Sequence, residues 1–206
     1  GFVTYGIDWL GKGELDDRSK PHFCAAGDGR DWCNLYYLSA TMLGTTPLAI
    51  NVTLGMAATD LVASFKFVDS QRLGVMGLSG GGTMTLWSGL CDHRFQAMEI
   101  ICYSDRWRNF GFRDYNYCGM QVAPGLYQLV DLPDLQGLLA PRPLLVDIGV
   151  HDTCFTIGGA LDCYRQVRRI YRAAGAADRL ELVQFPGEHS WPGPARSVPF
   201  FRKWLQ

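Results

Sequence analysis

Three residues of the right types for activating a hydroxyl follow three separate apolar runs: Ser79, Asp152 and His189. Ser79 sits in Gly77-Leu78-Ser79-Gly80-Gly81, a Gly-x-Ser-x-Gly pattern. A serine hydroxyl is a poor nucleophile until a base takes its proton. His189 is the natural base, since histidine is the side-chain type suited to proton transfer near neutral pH. Asp152 would hold the imidazole in one tautomer and stabilise it once charged. The backbone N–H of Gly80 would donate to the developing oxyanion. The chemistry these parts allow is acyl transfer through a serine ester.

Each assignment has rivals. A glycine-rich turn between strand and helix can also cradle a phosphate. No lysine follows these glycines, however, so a P-loop is disfavoured, and the segment does not match Gly-x-Gly-x-x-Gly. Among the histidines, His22 lies in a polar stretch and His93 at a helix end. His151 directly precedes Asp152 and reads as a substrate contact or a surface residue. Asp105 is the alternative acid, following the run that ends at Tyr103. Asp147 falls mid-strand and Asp162 inside a helix. Cys154 is near Asp152 but not on a sharp turn, so it is not read as the nucleophile. His22, Cys24 and Cys33 make too thin a set for zinc. No metal or cofactor is expected.

These residues need a scaffold that brings them together. Arg72–Leu78 reads as a strand, and the residues after Ser79 as a helix that starts with small side chains. The sharp turn explains the glycines, because side chains two residues either side of the serine would collide. Further strands are expected at Phe95–Tyr103, Pro143–Val150 and Leu180–Phe185. The first of these carries Ala97, Met98, Ile100, Ile101 and Cys102 in near-continuous apolar array, as a buried parallel strand should. Helices are expected at Cys33–Leu43, capped by Asp31 and stopped by Gly44, and over Pro47–Phe67, Gly159–Ala174 and Pro199–Leu205. Gly1–Asp8 also reads as a strand. Asn51-Val52-Thr53 fits a glycosylation acceptor but lies in a helical stretch and is taken as incidental. Alternating strands and helices imply a parallel α/β sheet. Its functional groups then gather at the strand C-terminal ends. The order Ser, Asp, His is the one expected of α/β-hydrolases.

The chain has 206 residues, 48% hydrophobic and 13% aromatic, enough for one well-cored domain spanning 1–206. An aromatic-rich excursion at about 105–140 interrupts the rhythm with Trp107, Phe110, Phe112, Tyr115, Tyr117 and Tyr127. These rings either line an acyl pocket or pack the excursion onto the core. The formal net charge of −1 gives no reason to invoke nucleic acid or an anionic membrane. No apolar run approaches a membrane span. The seven cysteines are odd in number and irregular in spacing, which argues against a disulfide framework. Localisation stays open, with a cytoplasmic setting favoured.

The motifs together resemble a known family. Arg72–Gly82, Ala140-Pro141-Arg142-Pro143-Leu144-Leu145-Val146, Gly149-Val150-His151-Asp152 and Gly187-Glu188-His189 look like the dienelactone hydrolase and acetyl xylan esterase-like branch of the α/β-hydrolases. Asn116-Tyr117-Cys118-Gly119, Pro124-Gly125 and Gly1–Gly13 extend the similarity. The resemblance implies a three-layer fold with a mostly parallel central sheet, lacking the usual N-terminal strands. It also implies a serine esterase with Ser79, Asp152 and His189 as triad, acting on a small-molecule ester. Dienelactone hydrolases in the narrow sense use cysteine, so the serine favours simple carboxylic esters.

In this superfamily a segment before the Gly1–Asp8 region supplies the second oxyanion donor. The chain is expected to start too late to contain it, so another segment or a partner chain would substitute. A shortened sheet would also leave an edge strand that could drive homodimerisation. The competing expectation is a non-catalytic or weakly active binding module of the same fold. A peptidase is a third reading, with harsher leaving-group demands.

Overall fold

A computed structural model describes residues 1–16, 29–116 and 118–206, with the side chains of 29–32 left aside. His22, Cys24 and Tyr117 therefore lie outside the described residues. The chain falls into two compact units: Gly1–Val68 with Tyr117–Pro124, and Asp69–Asn116 with Gly125–Gln206.

The first unit is built on two helices, α1 (Gly29–Met42) and α2 (Pro47–Ala63). α1 starts two residues before Asp31, which falls inside it rather than capping it. Gly44 ends the turn after α1 with φ +74°, a left-handed conformation suited to glycine. α2 begins cleanly because Thr46 accepts a hydrogen bond from Ala49 N (3.1 Å) and Pro47 occupies the first turn. No single described helix is long and apolar enough to cross a membrane, although α1 and α2 together pass on length and composition with a 93° bend between them.

Gly1–Asp8 does not form a strand, contrary to the sequence reading. All eight residues are exposed, and no ladder partner lies beside them among the described residues. β-propensity is mostly a preference for packing on neighbouring strands, so an unpaired segment stays irregular. It is held instead by Tyr5 Oη on Thr59 Oγ1 (2.8 Å) and by Leu10 N donating to Asn51 Oδ1 (2.9 Å).

The second unit contains four strands: β1 (Leu73–Leu78), β2 (Phe95–Ile101), β3 (Leu144–Gly149) and β4 (Leu180–Phe185). They form one parallel sheet in the order β1-β2-β3-β4. The connecting helices are α3 (Gly80–Cys91), α4 (Leu132–Gly137) and α5 (Ile157–Ala173), and α6 (Pro194–Leu205) closes the chain. Successive strand residues face opposite ways. Gly89 of α3 lies over Met98, whereas the neighbouring Ala97 packs with Phe200, Phe201 and Leu205 of α6. α3 and α6 therefore cover opposite faces, giving three layers.

Every residue of β3 is buried, as a strand covered on both faces requires. α5 shows the expected amphipathic pattern. Ala160, Cys163, Val167 and Tyr171 are buried, while Arg165, Arg168, Arg169 and Arg172 point to solvent. α6 starts at Pro194 rather than Pro199, because Pro194 takes the first-turn position that suits proline and Pro199 is absorbed inside the helix. The 105–140 excursion resolves, outside Tyr117, into short turns: a π-helical turn at Arg108–Arg113, single 3-10 turns at Gly119–Gln121 and Leu126–Gln128, and α4.

Candidate active site

Parallel strands bring their C-terminal ends to one edge, and each strand delivers one reactive side chain there. Ser79 follows β1, Cys102 follows β2, Asp152 follows β3 and His189 follows β4. Two of these residues hold backbone conformations that side chains rarely adopt: Ser79 at φ 57°, ψ −116° and Cys102 at φ 48°. Such strain persists only where surrounding bonds enforce it. Ser79 N donates to Ile101 O of β2 (2.9 Å), and Ser79 O accepts the first helical bond from Thr83 N (3.1 Å). Cys102 N donates to Asp147 O of β3 (2.9 Å).

The glycines around Ser79 act unequally. A Cβ on Gly77 would run into the backbone carbonyl of Gly81, so no side chain fits there. A Cβ on Gly81 itself would meet nothing, so the expected collision applies to the first of the pair alone. Ser79 makes no side-chain cap bond to α3, which leaves its hydroxyl for other work. Gly80 is the first residue of α3, and the first N–H groups of a helix have no partner within it. The helix dipole adds partial positive charge at that point.

The loops after β3 and β4 are tied together. His189 Nδ1 and Asp152 Oδ2 are 2.8 Å apart. Asp152 is buried, and its other oxygen accepts from Cys154 N (2.7 Å) and Phe155 N (3.0 Å). Those three donors aim the carboxylate and account for its burial. Val150 N donates to Phe185 O (3.0 Å) and His151 N to Gly187 O (2.9 Å). A Cβ on Gly149 would strike the carbonyl of Glu188, so glycine is what lets the His189 loop lie against the end of β3.

Phe155 stacks on the imidazole, with centroids 5.9 Å apart and planes within 16°. It belongs to an aromatic cluster with Tyr103 and Phe110, and Phe110 also stacks on Trp107. The excursion's rings at 107 and 110 are thus core packing, buried at 4% and 0% exposure. Cys102 Sγ approaches Ser190 O at 3.6 Å and bounds the loop from the β2 side. Burial, and then the Asp152 carboxylate, push its thiol up to about 12.

The structure thus brings His189 and Asp152 into direct contact. Among the described residues no hydrogen bond joins Ser79 Oγ to His189, whose ring bond goes to Asp152. Of the rivals, Asp105 is buried and accepts from Arg106 N (2.7 Å) and Asn109 Nδ2 (2.8 Å). Burial pushes its pKa above the usual carboxylate value. Asp162 pairs with Arg106 (2.7 Å). His151 and His93 are exposed. Cys154 O accepts from Asn116 Nδ2 (2.7 Å). Cys102 Sγ, an Asp152 oxygen and a His189 nitrogen lie within 4.8 Å of one another, the one described place where three metal-ligand side chains converge.

Residues 55–203 match the model of the prolyl oligopeptidase family. The chain belongs to that family. It is 28% identical over 158 residues to the Bacillus subtilis (strain 168) protein named "Putative hydrolase YtaP", covering 73% of this chain and 52% of that protein. Among solved structures it is similar to a carbohydrate esterase family 15 glucuronoyl esterase from Caldicellulosiruptor kristjansonii. There the TM-score is 0.64 at 20% identity, over 78% of this chain and 50% of the other. It is also similar to a "putative acetyl xylan esterase" from Bacteroides fragilis NCTC 9343, with a TM-score of 0.65 at 18% identity, over 97% of this chain and 53% of the other. At such identities the likeness establishes the α/β-hydrolase fold, in agreement with the order of strands and helices. The chain spans about half the length of these relatives.

Sequence reasoning passed over four residues that shape this edge: Cys102, Gly149, Phe155 and Glu99. Glu99 left a visible signal, a carboxylate within an otherwise apolar strand. Gly149 stood in the Gly149-Val150-His151-Asp152 motif without a role of its own, and the roles of Cys102 and Phe155 depend on which loop lies beside them.

Proposed function

We propose that this prolyl oligopeptidase family member is a serine carboxylesterase for short-chain acyl esters. Ser79 is the nucleophile, His189 the base and Asp152 the residue that orients it. His189 takes the hydroxyl proton as Oγ attacks the ester carbonyl. The same proton then goes to the leaving alcohol. Water, deprotonated by His189, attacks the acyl-enzyme, releasing the acid and restoring Ser79. Gly80 N–H donates to the oxyanion in both steps.

The observation that carries this reading is the 2.8 Å contact between His189 Nδ1 and Asp152 Oδ2. It leaves Nε2 as the free ring nitrogen, and β1, which leads into Ser79, ends at the same sheet edge. Hydrogen bonds between nucleophile and base are commonly long without substrate and tighten when it binds. The test is hydrolysis of p-nitrophenyl acetate by the wild-type protein and by Ser79→Ala. The substitution should cost on the order of 10⁴–10⁶ in rate. Equal rates would leave a binding module of the same fold as the better reading. A parallel assay on a peptide p-nitroanilide addresses the family's peptidase name, and amide cleavage faster than ester cleavage would replace the esterase reading.

A further inference from the structure

Two carboxylic residues lie in the middle of the sheet, under the edge just described. Glu99 on β2 and Asp147 on β3 are both 0% exposed. The β2–β3 register pairs Glu99 with Leu145 and Ile101 with Asp147. Laterally paired residues of a parallel sheet share a face, and alternate residues along a strand share it too. Leu145 packs with Phe200, Phe201 and Leu205, so both carboxyl groups point toward α6. They are diagonal neighbours within hydrogen-bonding reach of each other.

The hydrogen-bond accounting at this place does not close with two carboxylates. Glu99 Oε1 accepts from Ser197 Oγ of α6 (2.6 Å). Glu99 Oε2 and both oxygens of Asp147 are buried with no partner. Three such orphaned acceptors would be costly. One proton held between the two groups pairs one oxygen of each, reduces the three orphaned acceptors to one, and removes one buried charge, as in other carboxyl pairs that share a proton.

The pair is also wired to the His189 loop. Ser197 Oγ, while donating to Glu99, accepts from Trp191 Nε1 (3.1 Å). Trp191 is 44% exposed and follows His189 closely, so this bond is its anchor to the interior. We propose that Glu99 and Asp147 share one proton and, through Ser197 and Trp191, act as positioning residues for His189. This rests on the reading of His189 as the base.

The pH dependence follows from what faces the pair. Glu99 comes from β2, Asp147 from β3, Ser197 from α6 and Trp191 from the loop, and Val183 of β4 lies beside Asp147 in the register. The charged groups sharing this face are Glu181 of β4, diagonal to Asp147 in the register, and Lys203 of α6, which pairs with Glu181 at the surface (2.8 Å). Burial first, and then the facing Glu99, push Asp147 up to about 8. Burial likewise raises Glu99. A carboxyl raised on folding stabilises the folded state fully below its unfolded value near ~4, and that contribution is lost as pH rises through the folded value. Above about 8 the proton leaves, two charges face each other, and the Ser197–Trp191 anchor loosens.

The test pairs infrared spectroscopy with kinetics on the whole chain. At pH 6 the wild type should show the carbonyl band of a buried protonated carboxylic acid, fading as pH passes about 8. Glu99→Gln keeps an acceptor for Ser197 and offers an amide donor to Asp147, so it should lack both the band and the pH-dependent drop in melting temperature. Absence of the band from the wild type at pH 6 would overturn the shared proton, whether or not the protein hydrolyses esters. For the positioning role, wild-type kcat should fall above about pH 8 with KM unchanged, and Glu99→Gln should lose that fall. Trp191→Phe, on the surface and safe for folding, should lower kcat several-fold, leave KM alone and keep the band. An unchanged kcat in Trp191→Phe, or the same alkaline fall in Glu99→Gln, would overturn it.

Discussion

Asp147 and Asp152 leave the same strand a few residues apart, are both buried, and are treated in opposite ways. Asp152 lies just past the end of β3, where the chain turns back and its own N–H groups come into reach. It accepts from Cys154 N, Phe155 N and His189 Nδ1. Asp147 lies inside the strand, where backbone donors are committed to the ladder, and neither of its oxygens has a partner. The comparison teaches that burial alone does not decide a carboxylate's charge. The supply of donors does, and a strand's end is rich in them while its interior is poor. Three donors gather on one carboxylate, and the other, left with none, is the group proposed to share a proton.

The sharpest way to break this comparison is to neutralise each in turn. Asp152→Asn should cost about 10⁴ in kcat with the fold intact, because the imidazole loses its partner and its tautomer. Asp147→Asn should cost less than about tenfold, since a group that already shares a proton loses little when made neutral. If the two ester-hydrolysis rates fall equally, the distinction is wrong.

Phe155 is the next lever, being the ring on which the imidazole rests. Phe155→Ala empties a site that is 4% exposed in the Tyr103–Phe110 cluster. It should destabilise by about 3–5 kcal/mol in urea unfolding. A loss under about 1 kcal/mol would mean the cluster closes over the gap.

Gly149→Ala probes the junction between the two strand ends. The new methyl strikes the Glu188 carbonyl, and the loop carrying His189 must move. A displacement near 1 Å at the base costs on the order of 10² in rate. The expected signature is a lower kcat at pH 7 with a melting temperature shifted far less than in Phe155→Ala.

The smallest effect concerns thiols, and it tests how tightly the strand ends are closed. Cys102 is buried and pushed up to about 12, so it stays a thiol at pH 7. Cys118 is half-buried, and a hydrogen bond from Cys33 lowers its thiol below the usual cysteine value. Iodoacetamide at pH 7 should label Cys118 and spare Cys102, as read by mass spectrometry. Labelling of Cys102 at a comparable rate would show that the edge opens readily.

The elements legible in the sequence were those with a local cause. The turn at Ser79 was written in Gly77, which has no room for a side chain. β2 and β3 were written as largely apolar runs, broken only by Gln96, Glu99 and Asp147, because both faces are covered. α5 was written in its alternation of arginines with apolar residues. What misled was equally local. Gly1–Asp8 has strand-like residues but no neighbour to pair with, and Asp31 has a capping side chain but sits inside its helix.

By itself the sequence determined the α/β class, the order of the strands along the chain and the candidates Ser79, Asp152 and His189. Periodicity and turn chemistry act over a few residues and survive in a linear string. Only the tertiary structure decided that His189 meets Asp152 rather than Asp105, that Gly149 makes room for that meeting, and that Glu99 faces Asp147. Each depends on strand register and on which loops lie side by side. Those are set by long-range packing, where a shift of one residue would turn Glu99 or Asp147 to the other face.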